Sequence, residues 1–205
     1  LYRLGQAQLA RVLFPVGGYT KAEVRAMASR RGLPVAAKPE SQEICFAPLG
    51  DYSAFLARRT SLPFRPGPIK NREGRTLGEH QGIGNYTVGQ RRGLGISASR
   101  PLYVVAIEVA ENAIIVGEES DLYQKGLLAS EVRWVSGQRL AESAVVKAKI
   151  RYQHQGARAL VVPVSSRRAR VVFDHPQRAI APGQSVVFYR RDVVLGGGII
   201  SRPFD

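Results

Sequence analysis

The chain has 205 residues, carries 30 Lys and Arg against 16 Asp and Glu for a net charge of +14, and contains one cysteine. A single cysteine excludes an intrachain disulfide and a cysteine-rich metal site, and it indicates a reducing compartment. The sequence shows no signal-peptide pattern and no apolar run of membrane-spanning length, so we predict a cytoplasmic protein with no membrane partner. The charge surplus indicates a polyanionic partner, and nucleic acid is favoured because no basic amphipathic helix is visible.

Residues 1–50 are predicted to be the C-terminal end of an α/β domain whose main part lies further toward the N-terminus. A helix is predicted over residues 4–13, from apolar residues at near-helical spacing. A second helix begins after Thr20, which forms a capping-box pair with Glu23. A short strand and turn are predicted over residues 35–47.

Residues 51–120 are predicted to form a central glycine-rich domain, with a short helix over 51–60 followed by short β-rich segments. Residues 121–205 are predicted to be nearly all β, as a small barrel or a sandwich, and we favour an antiparallel barrel. The predicted strands of this last part are 144–152, 157–164, 169–173, 185–189 and 193–200. The fold class is therefore a mixed α/β remnant followed by a mainly β region that ends in a small antiparallel β-barrel.

A row of cations marks one of these strands. Side chains alternate faces along a strand, so Lys147, Lys149 and Arg151 share one face. The residues predicted on the other face are Val146, Ala148, Ile150 and Tyr152. Same-face residues repeat at about 6.6–6.8 Å, which is close to the spacing of phosphates along a nucleic-acid strand. Residues 121–205 also hold 14 Lys and Arg against 6 Asp and Glu. We predict phosphate binding by this row, with an ordinary solvated strand face as the alternative. Arg168 and Arg170 repeat the pattern, with the solvated face favoured there.

The glycine-rich segment 78–95 is the second candidate ligand-binding feature. Glycine lets the backbone approach a ligand closely, and Arg91 and Arg92 stand between glycines where they could meet phosphate. Base or sugar edges could be read by His80, Gln81 and Gln90. The segment matches neither GxxxxGK(S/T) nor GxGxxG, and a tight-turned hairpin is the simpler interpretation.

Cys45 has two possible roles on its own evidence, an inert buried side chain or a reactive thiolate. Its apolar neighbours Ile44 and Phe46 suit burial, whereas Ser41 and Glu43 suit an exposed approach. The three histidines are too scattered to complete a metal site with it, so no metal is predicted.

A set of short motifs in chain order resembles one known family. The motifs are Phe14-Pro-Val-Gly, Thr20-Lys-x-x-Val-Arg25, Ser41-x-x-Ile-Cys-Phe46, Gly78-x-His-x-Gly82, Tyr86-Thr-Val-Gly-Gln-Arg-Arg-Gly-Leu-Gly95, Pro101-Leu-Tyr-Val-Val105, Ile150-Arg-Tyr152, Pro182-Gly-Gln184 and Leu195-Gly-Gly-Gly-Ile199. Together they resemble the tRNA-specific 2-thiouridylases over nearly the whole chain.

This resemblance implies a tRNA sulfurtransferase that uses ATP to activate C2 of the wobble uridine. It implies that Cys45 carries the sulfur as a persulfide, that a sulfur-donor protein (a cysteine desulfurase or a sulfur relay protein) supplies it, and that a second cysteine helps to release it. Arg151, Tyr152 and Gln184 are implied to lie closest to the tRNA. The family's nucleotide-binding motif SGGxDS is absent from this sequence, so most of the ATP site is expected outside it.

Two other interpretations remain at this point. The chain could be a non-catalytic, basic RNA-binding β-barrel with a buried Cys45, or a ribosomal or translation-factor barrel in which Cys45 has no role. Reactivity separates the first of these from the enzyme, because a thiolate alkylates rapidly at neutral pH and a buried thiol does not.

Overall fold

The structure, a computed structural model, describes residues 1–38 and 65–205. The helix predicted over 51–60, Cys45 and most of the strand and turn predicted over 35–47 lie outside the described residues. The chain forms two compact units, one made of Leu1–Gln6 with Ser61–Asp205 and the other of Ala7–Thr60. The three-part division at residues 50 and 120 stays a prediction.

Two helices occur near the N-terminus, α1 (Gln6–Leu9) and α2 (Lys21–Arg30). The capping box of α2 is confirmed: the Thr20 hydroxyl accepts the Glu23 N–H at 3.3 Å, and Glu23 accepts the Thr20 N–H at 2.6 Å. The ten-residue helix predicted over 4–13 is wrong, because only the single turn α1 forms. No residue of α1 is buried, and a helix in a protein depends largely on burying one of its faces.

A four-stranded sheet occupies the middle of the chain. Its strands are β1 (Gly67–Lys70), β2 (Thr76–His80), β3 (Tyr103–Glu108) and β4 (Ala113–Gly117). The order is β2-β1-β4-β3, with β1 and β4 parallel and the other neighbours antiparallel. Its apolar core is centred on Ile69, Val104 and Ile114, all fully buried.

The C-terminal part is a closed six-stranded barrel. Its strands are β5 (Tyr123–Trp134), β6 (Ala144–Lys149), β7 (Ala157–Ser165), β8 (Arg168–Arg178), β9 (Ser185–Arg190) and β10 (Val193–Phe204). They close in the order β10-β5-β8-β7-β6-β9, and every neighbouring pair is antiparallel. Phe173 and Phe188 are the largest buried side chains of its core, and Trp134 stacks on Phe188. The predicted antiparallel barrel is confirmed.

The first six residues lie along the barrel rather than with α2. The Tyr2 side chain is buried against Gly197 of β10, and its hydroxyl is 3.0 Å from the Ser185 hydroxyl. Gln6 Nε2 donates to the Val135 carbonyl at 2.8 Å. We call Leu1–Gln6 the N-terminal strap, because it belongs to the same compact unit as the barrel.

Candidate nucleic-acid interface

The lysines of the predicted cation row lie on the outer face of β6. Val146, Ala148 and Ile150 are buried in the barrel core, while Lys147 points outward and is exposed, and Lys149 is half-buried on the same face. Lys147 pairs in register with residues of β7 and β9 on either side, so it stands in the middle of a three-stranded outer surface. The alternation predicted from the sequence therefore holds as far as Ile150.

The predicted strand ends three residues early, and this changes where Tyr152 lies. β6 ends at Lys149, and a turn follows in which the His154 N–H bonds the Arg151 carbonyl at 3.1 Å. Tyr152 is 98% exposed. The prediction that it points with the core side chains is wrong, because strand alternation no longer applies in the turn. An aromatic ring with this exposure is available for stacking on a base.

The turn after β6 folds back over the lysine stems. A Cβ on Gly156, where φ is +85°, would lie 2.7 Å from Lys147 Cε and 3.2 Å from Lys149 Cγ. The Lys149 ammonium is 5.7 Å from the centre of the Tyr189 ring, within cation–π range. Gly156 and Tyr189 thus confine the lysines from two sides, which reduces the side-chain entropy that they would lose on binding a phosphate.

The cations of this row have no carboxylate partner in the described parts of the chain. The neighbouring Arg158 differs, because its guanidinium is 2.6 Å from the Asp174 carboxylate. Arg151 Nη1 instead donates to the carbonyl of Arg178 at 2.9 Å, which orients the side chain without neutralising it. Lys147, Lys149 and Arg151 therefore offer three uncompensated charges on one surface, which is the arrangement that a polyanion needs.

His154 lies in the turn beside these cations. Its Nε2 is 3.0 Å from Gln177 Oε1. Partial burial lowers the pKa of His154 below its usual 6.5, the charges of Arg151 and Lys149 lower it further, and the bond to Gln177 opposes the shift. The imidazole is accordingly neutral at pH 7, and an added negative charge nearby would favour its protonation.

Gln184 lies at the same end of the barrel as Arg151. It is exposed in the turn before β9, and its carbonyl accepts the Ile200 N–H at 2.8 Å. Because Lys149 and Val187 are paired in antiparallel register, the chain after β6 and the chain before β9 lie next to each other. The structure thus places Arg151, Tyr152 and Gln184 around one barrel end, and their contact with RNA stays a prediction.

The glycine-rich segment exposes Arg91 and Arg92, whereas the side chains of His80 and Gln90 are already hydrogen-bonded. His80 is fully buried, with Nε2 2.9 Å from the Asn112 carbonyl and Nδ1 accepting the Gly82 N–H. Its suggested role in reading bases is wrong, because both ring nitrogens are already bonded. The Gln90 amide also bonds within the segment, to the Thr87 N–H and the Arg92 carbonyl. Of the five residues predicted to meet a ligand in this segment, three are exposed, namely Gln81, Arg91 and Arg92.

Two further residues of this surface, Arg178 and Glu119, were not predicted from the sequence. Arg178, at the end of β8, donates to the Glu119 carboxylate at 2.6 Å and 3.3 Å, and its carbonyl holds Arg151. These partners are 59 and 27 residues away along the chain, so no local spacing could have revealed them.

Arg170 lies 4.6 Å from the Phe204 ring and covers it, which agrees with its interpretation as an ordinary outer-face residue.

Neither a metal centre nor a membrane helix is evident in residues 1–38 and 65–205. Within those ranges no group of three His, Cys, Asp or Glu side chains is placed to hold a metal ion. The helices of the same ranges are too short and too polar to cross a membrane.

Three family models match consecutive parts of the chain. Residues 1–49 match a model described as the tRNA methyl transferase HUP domain, residues 53–118 match the tRNA methyl transferase PRC-barrel domain, and residues 124–200 match the aminomethyltransferase beta-barrel domain. The last of these ranges covers most of the closed barrel.

Curated relatives match almost the entire chain. A tRNA-specific 2-thiouridylase MnmA of Roseiflexus castenholzii is 54% identical over 98% of this chain and 54% of its own length. The MnmA 1 of Caldanaerobacter subterraneus is 52% identical over 98% of this chain and 56% of its own length, and the MnmA of Halothermothrix orenii is 48% identical over 100% and 57%. The chain spans about half the length of the curated relatives it matches.

Proposed function

Because this chain belongs to the tRNA-specific 2-thiouridylase family, we propose that it is the tRNA-holding and sulfur-carrying part of an enzyme that installs 2-thiouridine at the wobble position. The observation that carries the tRNA-holding role is the row of Lys147, Lys149 and Arg151 on the barrel, which has no carboxylate partner among the described residues. Tyr152 and Gln184, exposed at the same barrel end, extend the proposed tRNA contact.

Phosphate contacts from the row would give affinity without reading sequence. Cations on a rigid strand hold a nucleic-acid backbone in a fixed register, and they leave base recognition to groups that reach the grooves or the unpaired bases. In this chain the exposed Tyr152 ring and the Gln184 amide are suited to that second task. The barrel therefore positions the RNA, and its turns contact the bases.

Cys45 is proposed as the sulfur carrier, although it lies outside the described residues. The outer sulfur of the persulfide bonds C2 of the uridine as the activated C2 oxygen leaves. A further thiol then attacks Cys45 Sγ, so the sulfur–sulfur bond breaks, the two cysteines form a disulfide and the sulfur stays on the uridine. Cys45 is the single cysteine of the chain, so that further thiol must come from outside this sequence. A sulfur-donor protein, a cysteine desulfurase or a sulfur relay protein, would load the persulfide.

ATP, which the family uses to activate the uridine carbonyl, has no fitting site in residues 1–38 and 65–205. The described part of the HUP-domain match contains two helices and turns, with no strand–loop–helix that could cradle phosphates. The SGGxDS motif is also absent from the sequence. We therefore assign no ATP contact to residues 1–38 and 65–205 and no step of the reaction to ATP.

The charge row is tested by measuring tRNA affinity against salt concentration. The variant Lys147→Ala/Lys149→Ala/Arg151→Ala is expected to bind tRNA more weakly, and its salt slope should fall by about one unit for each phosphate interaction that the variant removes. The matched control is Arg133→Ala/Arg167→Ala/Arg168→Ala, which removes the same charge from exposed positions off β6. Equal reductions in affinity in the two variants would assign the effect to total charge and reject the row.

Cys45→Ser tests the catalytic role against the alternative, a non-catalytic RNA-binding barrel. In a complete enzyme that carries this chain, the replacement is expected to abolish sulfur transfer and leave tRNA binding intact, because serine forms no persulfide. The measurements are the 2-thiouridine content of the tRNA and mass spectrometry of the donor-loaded protein. Normal 2-thiouridine from the variant, or a sulfur adduct elsewhere than Cys45 in the wild type, would favour the non-catalytic alternative.

A further inference from the structure

The side chain of Arg178 joins the barrel to the four-stranded sheet. Its Nε and Nη2 donate to the two carboxylate oxygens of Glu119 at 2.6 and 3.3 Å, and its guanidinium lies 5.5 Å from the centre of the Tyr103 ring. Arg178 ends β8 of the barrel, and Tyr103 begins β3 of the sheet. Glu119 begins a short 3-10 helix, Glu119–Leu122, that connects β4 with β5. A two-bond guanidinium–carboxylate pair fixes direction as well as distance.

The backbone at the same point holds Arg151. The Arg178 carbonyl accepts Arg151 Nη1 at 2.9 Å. The next residue, Ala179, has a φ of +54° and donates its N–H to the Leu122 carbonyl at 2.8 Å. Both the side chain of Arg178 and the N–H of Ala179 are therefore fastened to the helix Glu119–Leu122. A displacement of that helix would move the carbonyl that orients Arg151.

The glycine-rich segment packs against the same joint. Gly89 has a φ of +91°, and a Cβ there would lie 3.0 Å from Ala179 Cβ and 3.5 Å from Arg178 Nη1. The charge of Arg91, two residues on, acts on the Glu119 carboxyl and contributes to lowering its pKa. The joint thus lies between the cations of the barrel and those of the glycine-rich segment.

We infer that Arg178 is a positioning residue: its ion pair with Glu119 fixes the carbonyl that aims Arg151 at the RNA backbone. This inference rests on the proposed function, since it requires that Arg151 contact tRNA. Two of the three guanidinium nitrogens of Arg178 bond Glu119, and the guanidinium lies over Tyr103, so the inference assigns Arg178 no phosphate contact of its own. The pair stays ionised at neutral pH, because Arg178 holds the pKa of Glu119 below its usual value.

The charge of Glu119 makes the direction of the change in RNA affinity a test of this inference. A carboxylate beside a phosphate-binding surface repels the ligand, so its removal should tighten RNA binding if charge were its only effect. Removal would also free Arg178, and a directly binding Arg178 would tighten the complex further. A positioning role predicts the opposite result, because Arg151 loses its support.

The experiment compares tRNA affinity and salt slope for Glu119→Gln and Glu111→Gln in the 205-residue chain. Glu111, the matched control, forms an ion pair with Lys70 and loses the same charge away from the helix Glu119–Leu122. Glu119→Gln is expected to weaken binding about three- to tenfold, which lies within the range of pairwise coupling between contacting residues, and Glu111→Gln should leave binding equal or tighter. In an Arg151→Ala background the effect of Glu119→Gln should vanish. Binding that is unchanged or tighter in Glu119→Gln would overturn the inference.

A second readout needs no RNA and covers variants that lose stability. The charge of Arg151 lowers the pKa of His154, so a displaced Arg151 should let the pKa of His154 rise in an NMR titration of Glu119→Gln. Arg178→Lys, which retains a cation for Glu119, should give a smaller rise. An unchanged His154 titration in a folded Glu119→Gln protein would refute the positioning role. Absence of tRNA binding by the wild-type chain would instead refute the proposed function.

Discussion

Gly156 controls the lysines of β6 through contact as well as conformation. An alanine at this position would have to keep a left-handed φ, which costs about 1 kcal/mol of stability. Its Cβ would lie 2.7 Å from Lys147 Cε. It would also lie 2.9 Å from Lys147 Cγ, which is close to the backbone, so the lysine side chain has to shift as a whole. That shift should be visible in RNA binding.

We therefore predict that Gly156→Ala weakens tRNA binding while Gly137→Ala does not. Gly137 has a φ of +81° with nothing within 4 Å of its Cβ position, so Gly137→Ala should lose about 1 kcal/mol of unfolding free energy and Gly156→Ala at least as much. Chemical denaturation measures these losses, and a tRNA titration of the folded proteins measures the difference in binding. Equal tRNA affinity in the two variants would show that Gly156 does not confine the lysines.

His154 should couple tRNA binding to proton uptake. Its pKa in the folded chain lies below 6.5, and a phosphate nearby would raise that pKa. Binding should therefore take up a proton and tighten by about threefold between pH 7.5 and pH 6. In the free protein the lowered pKa of His154 also makes folding stability depend on pH. The unfolded chain binds more protons, so stability falls as the pH drops below about 6.5.

The variant His154→Gln is expected to remove this pH dependence of tRNA affinity. His175→Gln is the control, because it removes a different, exposed histidine that lies on β8. Affinity measured at several pH values and constant ionic strength makes the comparison. A pH dependence that survives in His154→Gln and disappears in His175→Gln would assign the proton uptake to His175 and contradict the prediction for His154.

At the scale of elements, local signals were enough where one element decides its own structure. The capping box of Thr20 and Glu23 is complete within four residues, and the sequence alone predicts the start of α2. The strands β6, β7 and β9 alternate core and surface residues cleanly, so their ranges are predicted nearly as found. The charge row followed directly from that alternation.

The first barrel strand, β5, was missed because its composition favours another structure. Its residues include Leu127, Leu128, Ala129 and Glu131, all of which are more common in helices than in strands. Glu131 also has a φ of +49°, which interrupts regular strand geometry. Pairing with both β8 and β10 overrides these preferences. Such pairing joins residues far apart in the chain, and no local pattern reports it.

The parts of the candidate site contributed by turns were also beyond local inference. Strand periodicity predicted an inward Tyr152, whereas the turn after β6 exposes it. The bond from Arg151 to the Arg178 carbonyl depends on where β8 ends relative to β6, and the ion pair of Arg178 depends on how the barrel meets the sheet. The identity of the charged residues was therefore predictable, and their mutual support was not.

At the scale of the whole molecule, sheet and barrel form one compact unit with separate apolar cores. The ion pair of Arg178 with Glu119 joins the barrel to the helix Glu119–Leu122, and Arg72 forms a second ion pair with Asp121 of the same helix. Polar joints of this kind fix orientation with little buried apolar area. A tRNA that contacts both the barrel row and Arg91 would therefore find its two contact regions already aligned.

The N-terminal strap changes the connectivity of the two units. Because Leu1–Gln6 and Ser61–Asp205 belong to one unit, the segment Ala7–Thr60 leaves that unit and returns to it. The segment is thus an insertion with two covalent crossings, and bringing the ends of an insertion of about 50 residues together costs roughly 3–4 kcal/mol. The buried Tyr2 and the bonds of Gln6 and Arg3 offset part of such a cost. The strap therefore gives the segment that contains Cys45 a second covalent attachment to the unit that carries the cation row.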